Sequence, residues 1–140
     1  MMNSLIVGGL KMKMEVAVAC PPAYKPAASV LDFAVTHPAF SITSNPVEAA
    51  EGADVVITDV WASMGEEAEA EKRRKDFEGY QINAEVLSAA KPDAIVQHCL
   101  PAHRGEEITA EVFEKHSKEI FDEAENRLHA QKAVLVKLLS

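Results

Sequence analysis

The chain has 140 residues, 48% of them apolar and 26% charged, which predicts a globular domain with a buried core and excludes a disordered chain. Its formal net charge of −8 argues against nucleic acid and anionic membranes as partners, because both bind clustered Lys and Arg. No apolar run approaches the roughly 20 residues that cross a bilayer. Cys20 and Cys99 lie far apart in sequence and predict two free thiols in the reducing cytoplasm.

Helix-like and strand-like segments alternate along the chain. Apolar periodicity and Pro or Gly boundaries predict, in chain order, a helix at 3–12, a strand at 15–20, a helix at 27–35, a strand at 40–43, a helix at 46–52, a strand at 54–60, helices at 66–80 and 84–90, a strand at 94–100 and a helix at 126–139. Asn45, Pro46 and Glu48 predict a helix start closed by a capping box, and Gly52 predicts the end of that helix.

This alternation predicts a parallel sheet with helices on both faces, joined by right-handed crossovers. The expected fold is therefore a single α/β domain, a three-layer Rossmann-like doubly wound parallel sheet. Such folds normally open with a central strand, whereas the first element predicted here is a helix. We therefore expect the first strand to be absent, which leaves sheet edges without a partner and favours self-association.

Polar residues follow the predicted strand at 54–60. Asp59 closes this strand, and Ser63, Met64 and Gly65 form a turn into the next helix. Open parallel sheets bind ligands beyond the C-terminal ends of their strands. Turn N–H groups there can hold a carboxylate, while Asp59 and Ser63 can hold an ammonium group. The residue types alone leave open a second interpretation, in which Asp59 and Ser63 only cap a turn or a helix.

A second polar segment closes the predicted strand at 94–100. Cys99 lies beside His98 and Arg104, an environment that can lower the pKa of a thiol. Four roles are open to Cys99: a covalent nucleophile, a non-covalent ligand contact, a zinc ligand with His98 and His103, or a plain buried thiol. Structural zinc sites need four ligands, and covalent catalysis needs an oriented base. The residues alone therefore favour the buried thiol.

Longer segments resemble a known family. HCLPAHRGEEITAEVF and FDEAENRLHAQKAVLVKLL are similar to the C-terminal part of ornithine carbamoyltransferases. DVVITDVWASMGEE resembles the ornithine-binding loop of that family, and NSLIVGGLKMKMEVAVACPPAYKP resembles its first helix and second strand. The resemblance covers essentially the full chain in the family's order. The combination of SMG with HCLP distinguishes the family from aspartate carbamoyltransferases, which share its fold.

This resemblance implies that residues 1–140 form the C-terminal, ornithine-binding domain of a carbamoyltransferase. In that family the side-chain amine of ornithine attacks carbamoyl phosphate, which yields citrulline and phosphate. By resemblance, Asp59 and Ser63 bind the α-amino group of ornithine, and the backbone at Met64 binds its carboxylate.

The HCLP and ENR segments carry the remaining implied roles. Cys99 is expected near the attacking amine, and Leu100 is expected to offer its carbonyl oxygen to the carbamoyl NH2 group. Arg127 is expected to contact carbamoyl phosphate, and His98 to position the turn that carries Cys99. The resemblance implies no metal ion and no organic cofactor.

The family's N-terminal, carbamoyl phosphate-binding domain is absent from the 140 residues. The strand and the Asp-Gly-Asn-Asn loop expected before the first helix are absent as well. We therefore expect the isolated chain to be inactive or nearly so. Its expected partners are L-ornithine, carbamoyl phosphate mainly through the absent domain, and further copies in a homo-oligomer. The alternative function is a free-standing, non-catalytic module that binds an amino acid or self-associates.

Overall fold

A computed structural model describes residues 1–62 and 69–140, and it has an α/β fold. In chain order the described elements are α1 (Met2–Lys11), β1 (Val16–Ala19), a single 3-10 turn (Pro22–Tyr24), α2 (Ala28–Ala34), β2 (Phe40–Thr43), α3 (Pro46–Ala50), β3 (Val55–Thr58), α4 (Ala70–Asp76), α5 (Ala84–Ala89), β4 (Ile95–His98), α6 (Ala110–Lys115) and α7 (Ser117–Leu139). The predicted alternation of helices with strands is confirmed.

The strands pair in parallel, as predicted, but they are divided between two sheets. β1 pairs with β2, with Val16 opposite Phe40, and β3 pairs with β4, with Val55 opposite Ile95. A cavity of about 150 Å³ lies between the sheets and is lined by residues of β1, α3 and β3. Among the strands of residues 1–62 and 69–140, β1 and β3 therefore each present to the cavity an edge that pairs with no other strand.

The core consists of two clusters of buried apolar side chains. The larger cluster joins β3 and β4 to the helices around them and consists of Ala50, Val56, Ile82, Val86, Val96, Ile108, Val112, Phe113 and Ile120. The smaller cluster joins α1 to α2 through Ile6, Leu10 and Ala34. β3 and β4 are therefore the strands that the larger core holds in place.

Several boundaries differ from the predicted ones. β3 and β4 end at Thr58 and His98, so Asp59 and Cys99 lie just beyond the strand ends. The predicted helix at 126–139 is the second half of α7, because the buried side chain of Ile120 anchors an earlier first half against the core. α6 was not predicted; the side chain of Thr109 caps it by accepting the N–H of Val112. Residues 66–68 of the predicted helix at 66–80 lie outside the described residues, and the described part of this helix is α4, which ends at Asp76.

The start of α3 confirms one part of its prediction and corrects another. The side chain of Asn45 accepts the backbone N–H groups of Val47 and Glu48, as an N-cap does. Glu48 does not close a capping box, however. Its carboxylate accepts the hydroxyl of Thr43 at 2.6 Å, and the backbone N–H of Asn45 is satisfied by the hydroxyl oxygen of Thr43. The helix ends at Ala50, and Gly52 follows two residues later in a left-handed conformation, with φ of +66°.

The second half of α7 extends beyond both clusters. Every residue from 124 to 140 is exposed, including the apolar side chains of Leu128, Val134, Leu135, Val136, Leu138 and Leu139. Within the described ranges, no helix combines the length and the apolar character of a membrane span.

Candidate functional site

Two predicted site residues meet where β3 and β4 end. The parallel register brings Thr58 opposite His98, so the next residue of each strand, Asp59 and Cys99, are neighbours. The thiol of Cys99 donates a hydrogen bond to Oδ1 of Asp59 at 3.0 Å. The same oxygen accepts the N–H of Val60 at 2.8 Å, so Asp59 also stabilises its own turn. Asp59 therefore caps its own turn through Oδ1. Oδ2 takes no part in these two hydrogen bonds, so the geometry is also compatible with a role of Asp59 in binding an ammonium group.

Oδ2 of Asp59 has a cationic neighbour. The α-ammonium group of Met1 lies 3.8 Å from this oxygen, and both side chains are partly exposed. The side chain of Asp59 is 37% exposed, so this face of the carboxylate is open to solvent.

A second carboxyl group, that of Glu123, lies next to Asp59 and Cys99 and was missed by the sequence analysis. α7 runs along the outer edge of β4, where the Glu119 carboxylate accepts the N–H of Val96 at 3.3 Å. One turn later, Glu123 lies beside His98. Burial raises the pKa of Glu123, the charge of Asp59 adds to this shift, and the backbone of His98 partly opposes it. The four-residue spacing of Glu119 and Glu123 was the available signal, because it places both on one helix face.

Cys99 is a protonated thiol rather than a reactive thiolate. Burial raises its pKa to about 12, and the hydrogen bond and charge of Asp59 and the charge of Glu123 act in the same direction. The low pKa considered in the sequence analysis is therefore wrong, because the neighbouring charges are carboxylates and not cations. The site offers a neutral S–H donor, which favours a non-covalent role for Cys99.

We expect Cys99 to react slowly with iodoacetamide. Raising a thiol pKa from 9 to about 12 lowers the thiolate fraction at pH 8 roughly a thousandfold. The alkylation rate of Cys99 in the folded chain, followed by mass spectrometry, should be lower than in the urea-unfolded chain by at least a hundredfold. Equal rates would contradict the protonated thiol.

The same shift predicts a pH dependence of stability. The folded chain keeps the Cys99 proton to higher pH than the unfolded chain, so unfolding releases a proton between the two pKa values. The contribution is fully present below about pH 9 and is lost as the pH rises toward 12. The urea midpoint should therefore fall over this range, and Cys99→Ser should reduce the fall.

The turn after β4 is held by a buried histidine. Nδ1 of His98 accepts the N–H of Leu100 at 2.9 Å, so Nε2 carries the ring proton and donates it to Oε1 of Glu107 at 3.0 Å. His98 and Glu107 are fully buried. Leu100 has φ of +54°, a left-handed conformation that costs a non-glycine residue roughly 1 kcal/mol. The bond to His98 stabilises this conformation, which supports the predicted positioning role of His98.

The zinc hypothesis for Cys99 is not supported by this arrangement. Both ring nitrogens of His98 are occupied by Leu100 and Glu107, and the thiol of Cys99 faces Asp59. Among the residues at 1–62 and 69–140, the metal-ligating groups that cluster are those of His103, Glu106 and Glu107, and they include neither Cys99 nor His98.

The structure does not join the remaining predicted site residues to the side chains of Asp59 and Cys99. Ser63 and Met64 lie outside the described residues. Leu100 is partly buried within the turn, beside Cys99. Arg127 is exposed on α7, one turn after Glu123, and no described contact joins it to Asp59 or Cys99.

The segment after Asp59 is fixed to α4. Nη1 of Arg73 donates to the carbonyl oxygen of Trp61 at 3.2 Å, and its guanidinium lies 5.5 Å from the ring centroid of Tyr24. Phe77 packs between Trp61 and Tyr24, with ring centroids 5.9 and 4.7 Å away. These contacts hold the chain where it leaves β3, immediately before residue 63.

The site is therefore acidic, with one neutral donor. The carboxyl group of Asp59 follows β3 and that of Glu123 lies on α7. Cys99 hydrogen-bonds Asp59, and the charges of both carboxyl groups raise its pKa. Neighbouring carboxylates in a partly buried site generate a negative potential. Such a site suits a ligand with an ammonium group.

Comparisons with known proteins agree with the residues quoted above. A family model described as "Aspartate/ornithine carbamoyltransferase, Asp/Orn binding domain" matches residues 1–138. An ornithine carbamoyltransferase of Methanosarcina mazei is 55% identical over 138 residues, which are 98% of this chain and 46% of that protein. One from Carboxydothermus hydrogenoformans is 56% identical over 142 residues, with the same coverage.

Solved structures give the same result. The crystal structure of anabolic ornithine carbamoyltransferase from Campylobacter jejuni matches 99% of this chain and 47% of its own, with a TM-score of 0.93 and 43% identity. The ornithine carbamoyltransferase of Pyrococcus furiosus matches 95% of this chain and 44% of its own, with a TM-score of 0.82 and 48% identity. The chain therefore spans just under half the length of the relatives that it matches.

Proposed function

The chain belongs to the aspartate/ornithine carbamoyltransferase family, as its Asp/Orn binding domain, and on this premise we propose that it binds L-ornithine where β3 and β4 end. The carboxylate of Asp59 receives the α-amino group, with the hydroxyl of Ser63 as a second partner. The backbone N–H at Met64 holds the ligand carboxylate, and Cys99 lies near the side-chain amine. The observation that carries this proposal is the pairing of Asp59 with the protonated Cys99 thiol at 3.0 Å.

The charges of the site support this ligand. Oδ1 of Asp59 is occupied by the Cys99 thiol and a backbone N–H, whereas Oδ2 takes part in neither hydrogen bond and the side chain is 37% exposed. Glu123 adds a second carboxyl group. Ornithine carries two amino groups and one carboxylate. The acidic site complements the amino groups, and the N–H groups of the turn predicted at 63–65 would complement the carboxylate.

We propose carbamoyl transfer as the reaction to which this domain contributes. A neutral side-chain amine attacks the carbonyl carbon of carbamoyl phosphate and a C–N bond forms. The bond from carbon to the phosphate oxygen breaks, and the proton that the amine loses passes to the released phosphate. Leu100 would accept a hydrogen bond from the carbamoyl NH2, and Arg127 would contact the phosphate. Orientation of the two substrates is the main contribution of such residues.

The isolated chain is expected to be inactive or nearly so. It spans 46% of its ornithine carbamoyltransferase relatives, and carbamoyl phosphate would be bound mainly by the rest of such a protein. Arg127 illustrates this, because it is exposed and is not joined to Asp59 or Cys99 in the described chain. We place the protein in the cytoplasm, where its two cysteines, both free, would stay reduced.

Calorimetric titration with L-ornithine, with and without carbamoyl phosphate, tests the proposed ligand. We expect saturable binding of L-ornithine and much weaker binding of D-ornithine, because the α-amino and carboxylate contacts fix the stereochemistry. Equal affinity for the two enantiomers would contradict the proposed pocket. Absence of binding at millimolar ligand would favour the alternative of a self-associating module.

Self-association is the second candidate, as a homo-oligomer. Within the part of the chain that the structure describes, β1 and β3 each have an unpaired edge, and the second half of α7 exposes a row of apolar side chains. Unpaired edges and apolar patches of this kind are typical of surfaces that bind another chain. Sedimentation analysis should give a mass above that of one 15.2 kDa chain at micromolar concentration. A monomer at that concentration would contradict this candidate and leave the proposed ornithine site unaffected.

A further inference from the structure

We propose that His103, Glu106 and Glu107 form a binding site for a divalent transition-metal ion, separate from the proposed ornithine site. The three residues lie in the loop between β4 and α6, and each offers one ligand atom. These atoms all lie within 4.8 Å of one another. An imidazole with two carboxylates is a donor set that suits Zn²⁺ and its neighbours in the first transition row.

The strongest sign of a missing ligand is an oxygen of Glu107. Oε1 of this buried carboxylate accepts hydrogen bonds from Nε2 of His98 and from the backbone N–H of His103. Oε2 is equally buried, and within the described part of the chain it has no hydrogen-bond partner. A buried carboxylate oxygen without a partner is unfavourable. Oε2 lies 3.9 Å from Nδ1 of His103, too far for a hydrogen bond between them.

That separation is close to the one that a shared metal ion needs. Zinc binds histidine nitrogen and carboxylate oxygen at about 2 Å, and tetrahedral geometry places two ligands of one ion about 3.3 Å apart. The 3.9 Å between Nδ1 of His103 and Oε2 of Glu107 must therefore shorten by about 0.6 Å. His103 is exposed and Glu106 is partly exposed, so rotation of these side chains can draw the three ligand atoms, which lie within 4.8 Å of one another, onto one ion.

The groups around the three ligands hold them in place. His98 fixes Glu107, and Gln81 donates to the backbone carbonyl of Glu106 at 2.7 Å. Partners of this kind orient the ligands of protein metal sites. One oxygen of Glu106 is engaged by Nε of Arg74 at 2.9 Å, which leaves the other oxygen for a metal ion.

Titration of the 140-residue chain with ZnCl2 by calorimetry tests this site, with Co²⁺ as a spectroscopic probe. We expect one ion per chain, at least tenfold weaker binding by His103→Ala, and a smaller loss for Glu106→Gln. His129→Ala is the matched control, because His129 pairs with Glu125 at 3.1 Å on the exposed part of α7. This variant should bind Zn²⁺ as tightly as the unmodified chain.

The readouts separate this site from the cysteine site. Bound Co²⁺ should show visible d–d bands of nitrogen and oxygen ligands without a sulfur-to-metal charge-transfer band. A charge-transfer band lost in Cys99→Ser would place the ion on the thiol and overturn the proposal. Unchanged affinity in His103→Ala, or no binding at 1 mM Zn²⁺, would overturn it as well. L-Ornithine binding by His103→Ala should be unchanged in metal-free buffer, so failure of either proposal leaves the other standing.

Discussion

Asp59→Asn is expected to weaken L-ornithine binding roughly 10- to 150-fold, which corresponds to about 1.5–3 kcal/mol for a charge-assisted hydrogen bond. The substitution keeps an oxygen that can accept the Cys99 thiol at 3.0 Å and the N–H of Val60 at 2.8 Å. It removes the negative charge that would pair with the α-ammonium group of the ligand. Calorimetric titration of the variant under the same conditions as the unmodified chain measures the loss.

Asp54, at the other end of β3, offers a matched control. Asp54 precedes β3 at its opposite end, where it pairs with Lys91 at 2.6 Å, and Asp54→Asn changes the net charge by the same amount. This control should leave ornithine affinity unchanged. An equal loss in both variants would mean that only the overall charge matters, which would contradict the proposed contact.

The alkylation rate of Cys99 in Asp59→Asn is a second measurement, and it tests the contact between Asp59 and Cys99 separately from ornithine binding. The charge of Asp59 helps to raise the pKa of Cys99, so Asp59→Asn should lower that pKa and accelerate alkylation of the thiol. Faster alkylation with unchanged ornithine affinity would retain the described contact between Asp59 and Cys99 and reject the ligand assignment.

The fold was largely predictable because its signals are local. Apolar runs such as that at 54–60 and the Asn45-Pro46 cap identify elements without knowledge of the rest of the chain. Boundaries were less predictable, since α7 begins at Ser117 in a charged stretch whose helical state depends on burial of Ile120. The division into two sheets depends on pairing between distant segments, which periodicity does not encode.

The candidate site was predictable where it follows strand ends. Asp59 and Cys99 could be expected to meet, because parallel strands present their C-terminal ends at one edge of a sheet. The pKa of Cys99 could not be predicted, because its sign depends on which charges lie nearby in space. Sequence neighbours His98 and Arg104 suggested cations, whereas the actual neighbours are Asp59 and Glu123.

The carboxyl groups of Glu107 and Glu123 were not singled out from the sequence. Both lie in acidic stretches, GEE and EAEN, that are typical of solvated surface. Only the structure shows that Glu107 is buried against His98 and that Glu123 packs near Asp59. A buried acidic side chain has the same local sequence as an exposed one, so its role depends on tertiary contacts.

His98→Ala is expected to destabilise the fold by about 3–5 kcal/mol, a large part of the roughly 5–15 kcal/mol typical of a domain. The substitution leaves Glu107 buried without its side-chain donor and leaves the N–H of Leu100 without an acceptor. It also opens a cavity, because His98 is fully buried. Urea unfolding followed by fluorescence of Trp61, the one tryptophan of the chain, measures the change. EDTA excludes metal ions from the measurement.

The reference for this prediction is His129→Ala, which removes an exposed histidine paired with Glu125 and should change stability by no more than about 0.5 kcal/mol. Equal effects of the two histidine substitutions would contradict a stabilising role for the buried pair. Glu107→Gln separates hydrogen bonding from charge, because Gln keeps an oxygen that can accept from His98. A smaller loss than in His98→Ala would assign most of the stabilisation to the hydrogen bonds. In the double variant that combines His98→Ala with Glu107→Gln, the loss in free energy of unfolding should be smaller than the sum of the two single losses. Each substitution alone already breaks part of the same hydrogen-bond network of Leu100, His98 and Glu107.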